Sequence, residues 1–407
     1  MTRREDDAPV SLSGDSSGTL DVVVERILPG GDGLAHADGK TILVGLAAPG
    51  DHLRVRIDRK RGKVAFASIV DIIEPSPSRV SPACSYFGRC GGCDFQQLSY
   101  KAQLAVKVSI IRDCFRRIAR IDYQNDIPIT PSPSAWQYRS SAQWKFDPLK
   151  SRLGYFESGS HSVCDVIECP ILVPALQETL LSLRGRMSEG TLPLGAGEFE
   201  AVAGDEGVSV VPSVEERETL DVRSTILGDR YVFSADSFFQ INQQILPSLI
   251  EAATGDARGE TALDLYCGAG LFTLQLARRF SRVVGVEAHQ GAVSYARRNL
   301  LGANLKNANI KCSTVGEYLR NRTERISPVD LTLLDPPRSG VEKGVIEAIV
   351  AIRPKRITYV SCDPATLARD LKPVIAAGYA LDSIAAFDMF PQTHHVETVA
   401  RLSVTVS

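Results

Sequence analysis

Along this chain the apolar positions recur with two different periods. Between about 18 and 73 they alternate in short runs, 20–27, 40–44, 52–58 and 64–73, broken by Pro29-Gly30-Gly31-Asp32-Gly33 and Ala48-Pro49-Gly50. Short alternating runs between glycine-rich turns predict a small antiparallel β-barrel over 15–73, behind a flexible tail at 1–14. A turn-rich linker of proline and serine runs from Glu74 to Pro82, which sets a domain boundary near 74. Helical spacing follows at 99–120, through Leu104, Val108, Ile111, Phe115 and Ile118. Lys101, Lys107, Arg112, Arg116, Arg117 and Arg120 surround that stripe, predicting an amphipathic helix with a basic side that packs on the last domain. From 138 to 232 the apolar runs are short and interrupted, so 74–232 reads as a mixed, sheet-rich central domain. In 233–407 the apolar strands 262–265, 283–286, 331–334 and 357–360 alternate with helical patterns. That alternation predicts a Rossmann-like, doubly wound α/β domain with a parallel sheet.

Charge and cysteine content narrow the class. Forty-six Lys plus Arg stand against 48 Asp plus Glu, a net charge of -2, so any nucleic-acid surface must be a local patch. Arg54, Arg56, Arg59, Lys60, Arg61 and Lys63 form one candidate stripe, with a solvated hairpin as the plain alternative. The N-terminus has no apolar core of the signal-peptide kind and no run reaches the length of a membrane span, so a cytoplasmic protein without membrane contact is expected. Nine cysteines in a reducing compartment read as ligands or nucleophiles rather than disulfides. Cys84, Cys90 and Cys93 sit in a glycine-rich turn, and Cys164 and Cys169 are the distant candidates for a fourth ligand. Four thiolates would suit either tetrahedral zinc or a cubane iron-sulfur cluster.

The strand at 262–265 runs into Tyr266-Cys267-Gly268-Ala269-Gly270 and then a helix over 271–280. Gly268 and Gly270 let the backbone approach a ligand at the carboxyl end of the strand. Thr273 stands where a dinucleotide fingerprint wants glycine, and Glu287 ends the next strand in position for ribose hydroxyls. Adenosine without a pyrophosphate points to S-adenosylmethionine. Leu334-Asp335-Pro336-Pro337-Arg338 adds a stiffened strand end to the same rim. At the following strand end, Ser361-Cys362-Asp363-Pro364 opens a helix whose dipole would favour a thiolate. Such a thiolate could add to carbon 6 of a uracil and make carbon 5 nucleophilic. The run 389–397, ending in Glu397, supplies a base for the carbon-5 proton. His394 and His395 are read as packing or orienting residues.

Taken in order, Phe238-Phe239-Gln240-Ile241-Asn242, 264–272, 334–340, 361–370 and 389–397 resemble the motifs of the RNA uracil-C5 methyltransferase family. Residues 15–73 resemble a TRAM domain, an RNA-binding barrel, so the chain is similar to the iron-sulfur branch of that family that modifies large-subunit ribosomal RNA. The resemblance implies an S-adenosylmethionine-dependent methyltransferase domain with Gln240, Tyr266, Glu287 and Asp335 as cofactor contacts. It implies Cys362 as the nucleophile, Glu397 as the base, and Cys84, Cys90, Cys93 and Cys169 as ligands of a [4Fe-4S] cluster. Leu271 departs from the family, where Asn often touches the cofactor. The expected partner is RNA, 23S rRNA in the first place, bound by a monomer. A tRNA substrate is the alternative, and a non-catalytic RNA-binding module is a reading that would need neither Cys362 nor Glu397.

Overall fold

The protein is described by a computed structural model that covers 19–193, 197–213, 221–321 and 328–405. The tail expected at 1–14 lies outside these residues. Among the described residues no helix is long and apolar enough to cross a membrane. The chain divides into two compact units, 1–79 and 80–407.

The smaller unit is one six-stranded sheet built from β1 (Thr19–Val23), β2 (Arg26–Ile27), β3 (Gly33–Ala37), β4 (Lys40–Val44), β5 (His52–Arg61) and β6 (Val64–Glu74), in the order β1-β5-β6-β4-β3-β2. Two features differ from the sequence expectation. The run at 20–27 is split at Val24 and Glu25, and β4 pairs with β6 in parallel, Thr41 facing Val64, so the sheet is mixed rather than antiparallel. Alternation still sets the inside: Ile42, Val44, Leu53, Val55 and Ala65 are buried together. Asp51 closes the end of the sheet. Its buried carboxylate accepts from the N–H groups of Ala48 and Ser76 and pairs with Arg79 at 2.5 Å. Burial pushes its pKa up, but Arg79 and the two backbone donors outweigh this and hold it below the ordinary value. Arg54, Arg56, Arg59, Lys60, Arg61 and Lys63 are all exposed along β5 and its turn, and the Arg59 guanidinium stacks 4.0 Å from the Phe66 ring.

The larger unit begins with turns that carry three cysteines and continues into α1 (Tyr100–Cys114), capped by the Ser99 hydroxyl and extended by a π-helical turn at Phe115–Ala119. The helix packs against α8, described below, but its basic side is interrupted. Lys107 is fully buried and pairs with Asp388 at 2.5 Å. Its position on the stripe is helical and its partner lies far along the chain, which spacing alone cannot show. A second sheet, β8 (Ser141–Asp147), β9 (Arg152–Phe156), β10 (Val163–Asp165), β11 (Glu198–Ala203) and β12 (Val208–Val211), is antiparallel throughout. Helix α2 (Pro174–Ser188) covers it with Leu176, Leu180 and Leu183 against Trp144 and Phe199.

The largest layer is an eight-stranded sheet. It comprises β15 (Gly259–Leu265), β16 (Phe280–Glu287), β17 (Ala308–Cys312), β18 (Leu331–Leu334), β19 (Arg356–Ser361), β20 (Tyr379–Phe387), β21 (Glu397–Val404) and the short β7 (Ile129–Thr130). Their order is β17-β16-β15-β18-β19-β21-β20-β7. The first five are parallel, linked through α4 (Leu271–Ala277), α5 (Gln290–Gly302), α6 (Val315–Arg320) and α7 (Val345–Ile352), and α8 (Pro364–Ala376) follows the last of them. The sheet is not parallel to its end: β21 runs antiparallel to both β19 and β20. The link from β20 to β21 is too short for a crossover, which takes a dozen or more residues, so the strands turn back on each other. The hairpin of β13 (Val222–Ile226) and β14 (Asp229–Phe233), with α3 (Leu246–Thr254), joins this layer's core through Tyr231, Phe233 and Leu249, so that core starts upstream of 233.

Candidate active site

Adjacent strands β16, β15, β18 and β19 end together, and their carboxyl ends surround a cavity of about 890 Å³. Small-molecule sites span roughly 300–1,000 Å³, so this one has the room for two ligands side by side. Gln240, Tyr266, Gly268, Glu287, Asp335, Cys362 and Glu397 all line it. Gly270 does not. It is the left-handed N-cap of α4 at φ 90°, where a Cβ would press on Leu274 and Ala296, so its freedom serves the turn rather than the cavity wall.

Tyr266 also takes a left-handed backbone, φ 65°, and its hydroxyl meets Glu342 across the mouth. Such an outlier is held only by over-determined surroundings and is common at functional sites. Glu287 accepts from the Gly268 N–H at 3.0 Å and the His289 N–H at 2.7 Å. Both its oxygens are thereby oriented with acceptor capacity left for hydroxyl groups, which fits the ribose of an adenosyl cofactor. Leu271 lines the cavity with an apolar side chain, and its backbone oxygen is taken by the Tyr231 hydroxyl at 3.1 Å.

The reactive side of the cavity is a cluster of four groups. Burial pushes the Cys362 thiol up to about 12, and the neighbouring Glu397 adds to this. Both influences favour the neutral thiol at neutral pH. Asp363 caps α8 beside it, its carboxylate accepting from the Thr366 N–H at 2.7 Å. Arg338 acts the other way, its guanidinium donating to the thiol and favouring the charged form. Asp335 is only half-buried by exposure, but the cavity walls desolvate it and Asp264 lies near, so its carboxyl rises to about 7. Glu397 is 3% exposed and raised well above the usual range by burial and by Asp335, with Arg338 opposing. Two carboxyls pushed toward their neutral forms beside a thiol make a site poised for proton transfer.

The motif 334–338 placed Arg338 at the rim, but its partnership with the Cys362 thiol was not legible in the sequence. Sequence reasoning also missed Phe238, 72% exposed at the cavity's edge, and Phe390, which walls it from the β20–β21 link. The available signal was the aromatic pair Phe238-Phe239 directly before Gln240. His394 and His395 do not line the cavity; His394 meets Asp94, and burial with His394 beside it lowers His395 to about 3.

The cysteines form a separate, smaller cavity of about 80 Å³, lined by Cys84, Cys90, Cys93 and Cys169 with Gln96, Arg139 and Tyr155. Cys164 lies outside its lining, buried beside the Arg89 guanidinium at 3.3 Å. Burial pushes Cys90 up to about 11 and Cys93 up to about 12. Among the described residues, no three His, Cys, Asp or Glu side chains close around a single metal ion.

A family model described as tRNA (Uracil-5-)-methyltransferase matches residues 214–404. A 23S rRNA (uracil(1939)-C(5))-methyltransferase RlmD of Alkalilimnicola ehrlichii is 33% identical over 94% of this chain and 96% of its own length. The chain belongs to the RNA uracil-C5 methyltransferase family. It is an S-adenosylmethionine-dependent RNA (uracil-C5-)-methyltransferase. An uncharacterized RNA methyltransferase of Thermosynechococcus vestitus is 31% identical over 95% of this chain and 98% of that protein. Among solved structures, the Pyrococcus abyssi tRNA (uracil-54, C5)-methyltransferase in complex with S-adenosyl-L-homocysteine superposes with a TM-score of 0.74 at 25% identity, covering 94% of this chain and 100% of that one.

Proposed function

We propose that this enzyme methylates carbon 5 of a uridine in 23S rRNA through a covalent adduct with Cys362. The observation that carries the reading is the meeting of Cys362, Glu397, Asp335 and Arg338 on one cavity whose far wall is Glu287. Gln240, Tyr266, Glu287 and Asp335 hold the methyl donor, with Gly268 giving backbone access. The target base must leave its stack to reach so deep a site, and Phe238 offers a ring at the entrance on which an extruded or neighbouring base stacks.

Cys362 passes its proton to solvent while the cavity is still wet, and Arg338 stabilises the sulfur anion left behind. The thiolate forms a bond to carbon 6, the double-bond electrons move toward oxygen 4, and carbon 5 takes the methyl group of the sulfonium. Glu397 in its ionised form then removes the carbon-5 proton, the carbon 5–carbon 6 double bond re-forms, and Cys362 leaves as thiolate. A raised carboxyl suits this second role, since a stronger base removes a weakly acidic proton.

Support for ribosomal RNA comes from relatives named for 23S rRNA that match over almost their whole length. The tRNA reading is favoured by the description of the matching family model and by the fold of the Pyrococcus abyssi enzyme. Mass-spectrometric mapping of 5-methyluridine in ribosomal and transfer RNA, from cells with and without the gene, decides between them. Loss confined to tRNA overturns the ribosomal assignment.

Cys84, Cys90, Cys93 and Cys169 would hold a [4Fe-4S] cluster. What supports it is that these four cysteines line one cavity, and four thiolates are what a cubane needs. The cluster supplies no step in the methyl transfer. The small β-unit, read as a TRAM barrel, would hold RNA phosphates through Arg59, Lys60, Arg61 and Lys63. Replacing these four together should weaken RNA binding and flatten its salt dependence while methyl-donor affinity stays unchanged.

A further inference from the structure

Residues 388–396 link β20 to β21 and bring Phe390 and then Glu397 to the cavity. Their position is held from far away in sequence. Gln392 accepts on its backbone oxygen from the N–H groups of Asp94 at 3.1 Å and Phe95 at 3.0 Å. The side chain of Gln103 closes on Gln392 with two bonds of 3.0 Å, one to the amide oxygen and one from the backbone N–H. The Tyr138 hydroxyl donates to the Pro391 oxygen at 2.9 Å, and Lys107 donates to the Phe390 oxygen at 2.9 Å. Asp94 completes the set, accepting from the His394 N–H at 2.8 Å and meeting its ring nitrogen.

The neighbours of these holding residues line the cysteine cavity. Cys93 precedes Asp94, and Gln96 follows Phe95; Gln96 accepts from the Cys84 N–H at 3.1 Å and donates to the Cys93 sulfur. On the other wall Arg139 follows Tyr138, and the backbone of Gln137 and Arg139 bonds to Pro170 and Ile171 beside Cys169. Both walls of the sulfur cavity are therefore one peptide bond away from a group that grips the link. Phe95, Gln103 and Lys107 are essentially fully buried, so a shift of the cysteine turns has no soft layer in which to dissipate.

We infer that the four-cysteine site anchors the 390–397 segment of the catalytic cavity, with Asp94 as the positioning residue that joins them. Resting on the roles given above to Glu397 and the cysteines, this makes the sulfur site govern the RNA-directed, late half of the reaction and leaves methyl-donor binding alone, because Glu287 ends β16 and holds the Gly268 N–H of the turn after β15, outside the set of bonds that grips the link.

The test uses the full-length protein purified anaerobically. Asp94→Ala should keep its iron and its S-adenosylhomocysteine affinity, turn over more slowly by about 10²-fold, as misplacement of a catalytic group does, and accumulate the protein-RNA adduct on a denaturing gel. Asp94→Asn, which still accepts from the His394 N–H, should recover part of the rate. After metal removal by chelation, hydrogen exchange should quicken at 388–396 while β15, β16 and β18 stay protected. Wild-type turnover in Asp94→Ala, unchanged exchange at 388–396, or exchange quickened equally in β15 to β18 would each overturn the anchor. The last outcome would make the site a general staple. Failure of the adduct mechanism is seen separately: Glu397→Gln without an adduct removes that reading, whereas an adduct in Glu397→Gln but none in Asp94→Ala removes only the anchor.

Discussion

In the catalytic cavity, the reactive groups stand on the ends of neighbouring strands, so their spacing follows from the strand separation of a buried sheet. In the cysteine cavity, Cys84, Cys90, Cys93 and Cys169 all stand outside the named strands and helices, on turns joined by side chains such as Gln96 and Arg139. A sheet rim keeps its geometry without a ligand. Sulfur atoms on turns keep theirs through whatever bridges them. The enzyme thus divides its work between a rigid rim that presents the chemistry and a ligand-dependent corner that would set one wall of it.

The sharpest break in this comparison comes from the rim itself. Cys362→Ala should abolish both methylation and the RNA adduct while leaving the melting temperature almost unchanged, because only a half-buried thiol is lost. Glu397→Gln should lower turnover by about 10²- to 10⁴-fold, the usual contribution of a positioned acid or base, and trap the adduct. Peptide mapping of that adduct to Cys267 or Cys312 would show that the wrong sulfur had been chosen.

Next in size is the tie between the two regions. Lys107→Met leaves Asp388 buried without its cation and should destabilise the larger unit by about 3–5 kcal/mol, as breaking one side of a buried pair does. A thermal melt unchanged from wild type would mean that the pair contributes nothing. At the sulfur corner, Cys169→Ser should lose the metal and Cys164→Ser should keep it, measured as iron per chain. The reverse result would move the fourth ligand to the residue beside Arg89.

The smallest effect is a shift of pH profile. Cys362 and Glu397 have raised pKa values and must be ionised to act, so turnover should rise as pH increases above neutrality. Arg338 favours both ionised forms, so Arg338→Met should move that rising limb to higher pH by about one unit. An unmoved limb would mean that Arg338 does not face the ionising groups during turnover.

Much of the rim was readable along the chain because each motif is local: a strand, its end, and the residues of the turn that follows. Gln240, Tyr266, Gly268, Glu287, Asp335, Cys362 and Glu397 were all named from such segments, and all of them line the cavity. Gly270 was named by the same logic and lines none of it. What the motifs could not convey is the state of the groups. A helix N-terminus next to a cysteine suggested a dipole that favours the thiolate, whereas enclosure by the cavity and the nearby Glu397 push the thiol's pKa up.

By itself, then, the order of residues determined the alternation of strands and helices, the strand-end positions of the reactive side chains, and the cysteine spacing, because all of these depend on neighbours a few residues apart. Tertiary structure alone decided that Lys107 leaves the basic side of its helix for Asp388, that Arg338 turns to Cys362, and that Asp94 reaches His394. Pairs so distant in sequence leave no periodic trace, and burial, which sets the charge of Asp335, Cys362 and Glu397, exists only once the walls have closed around them.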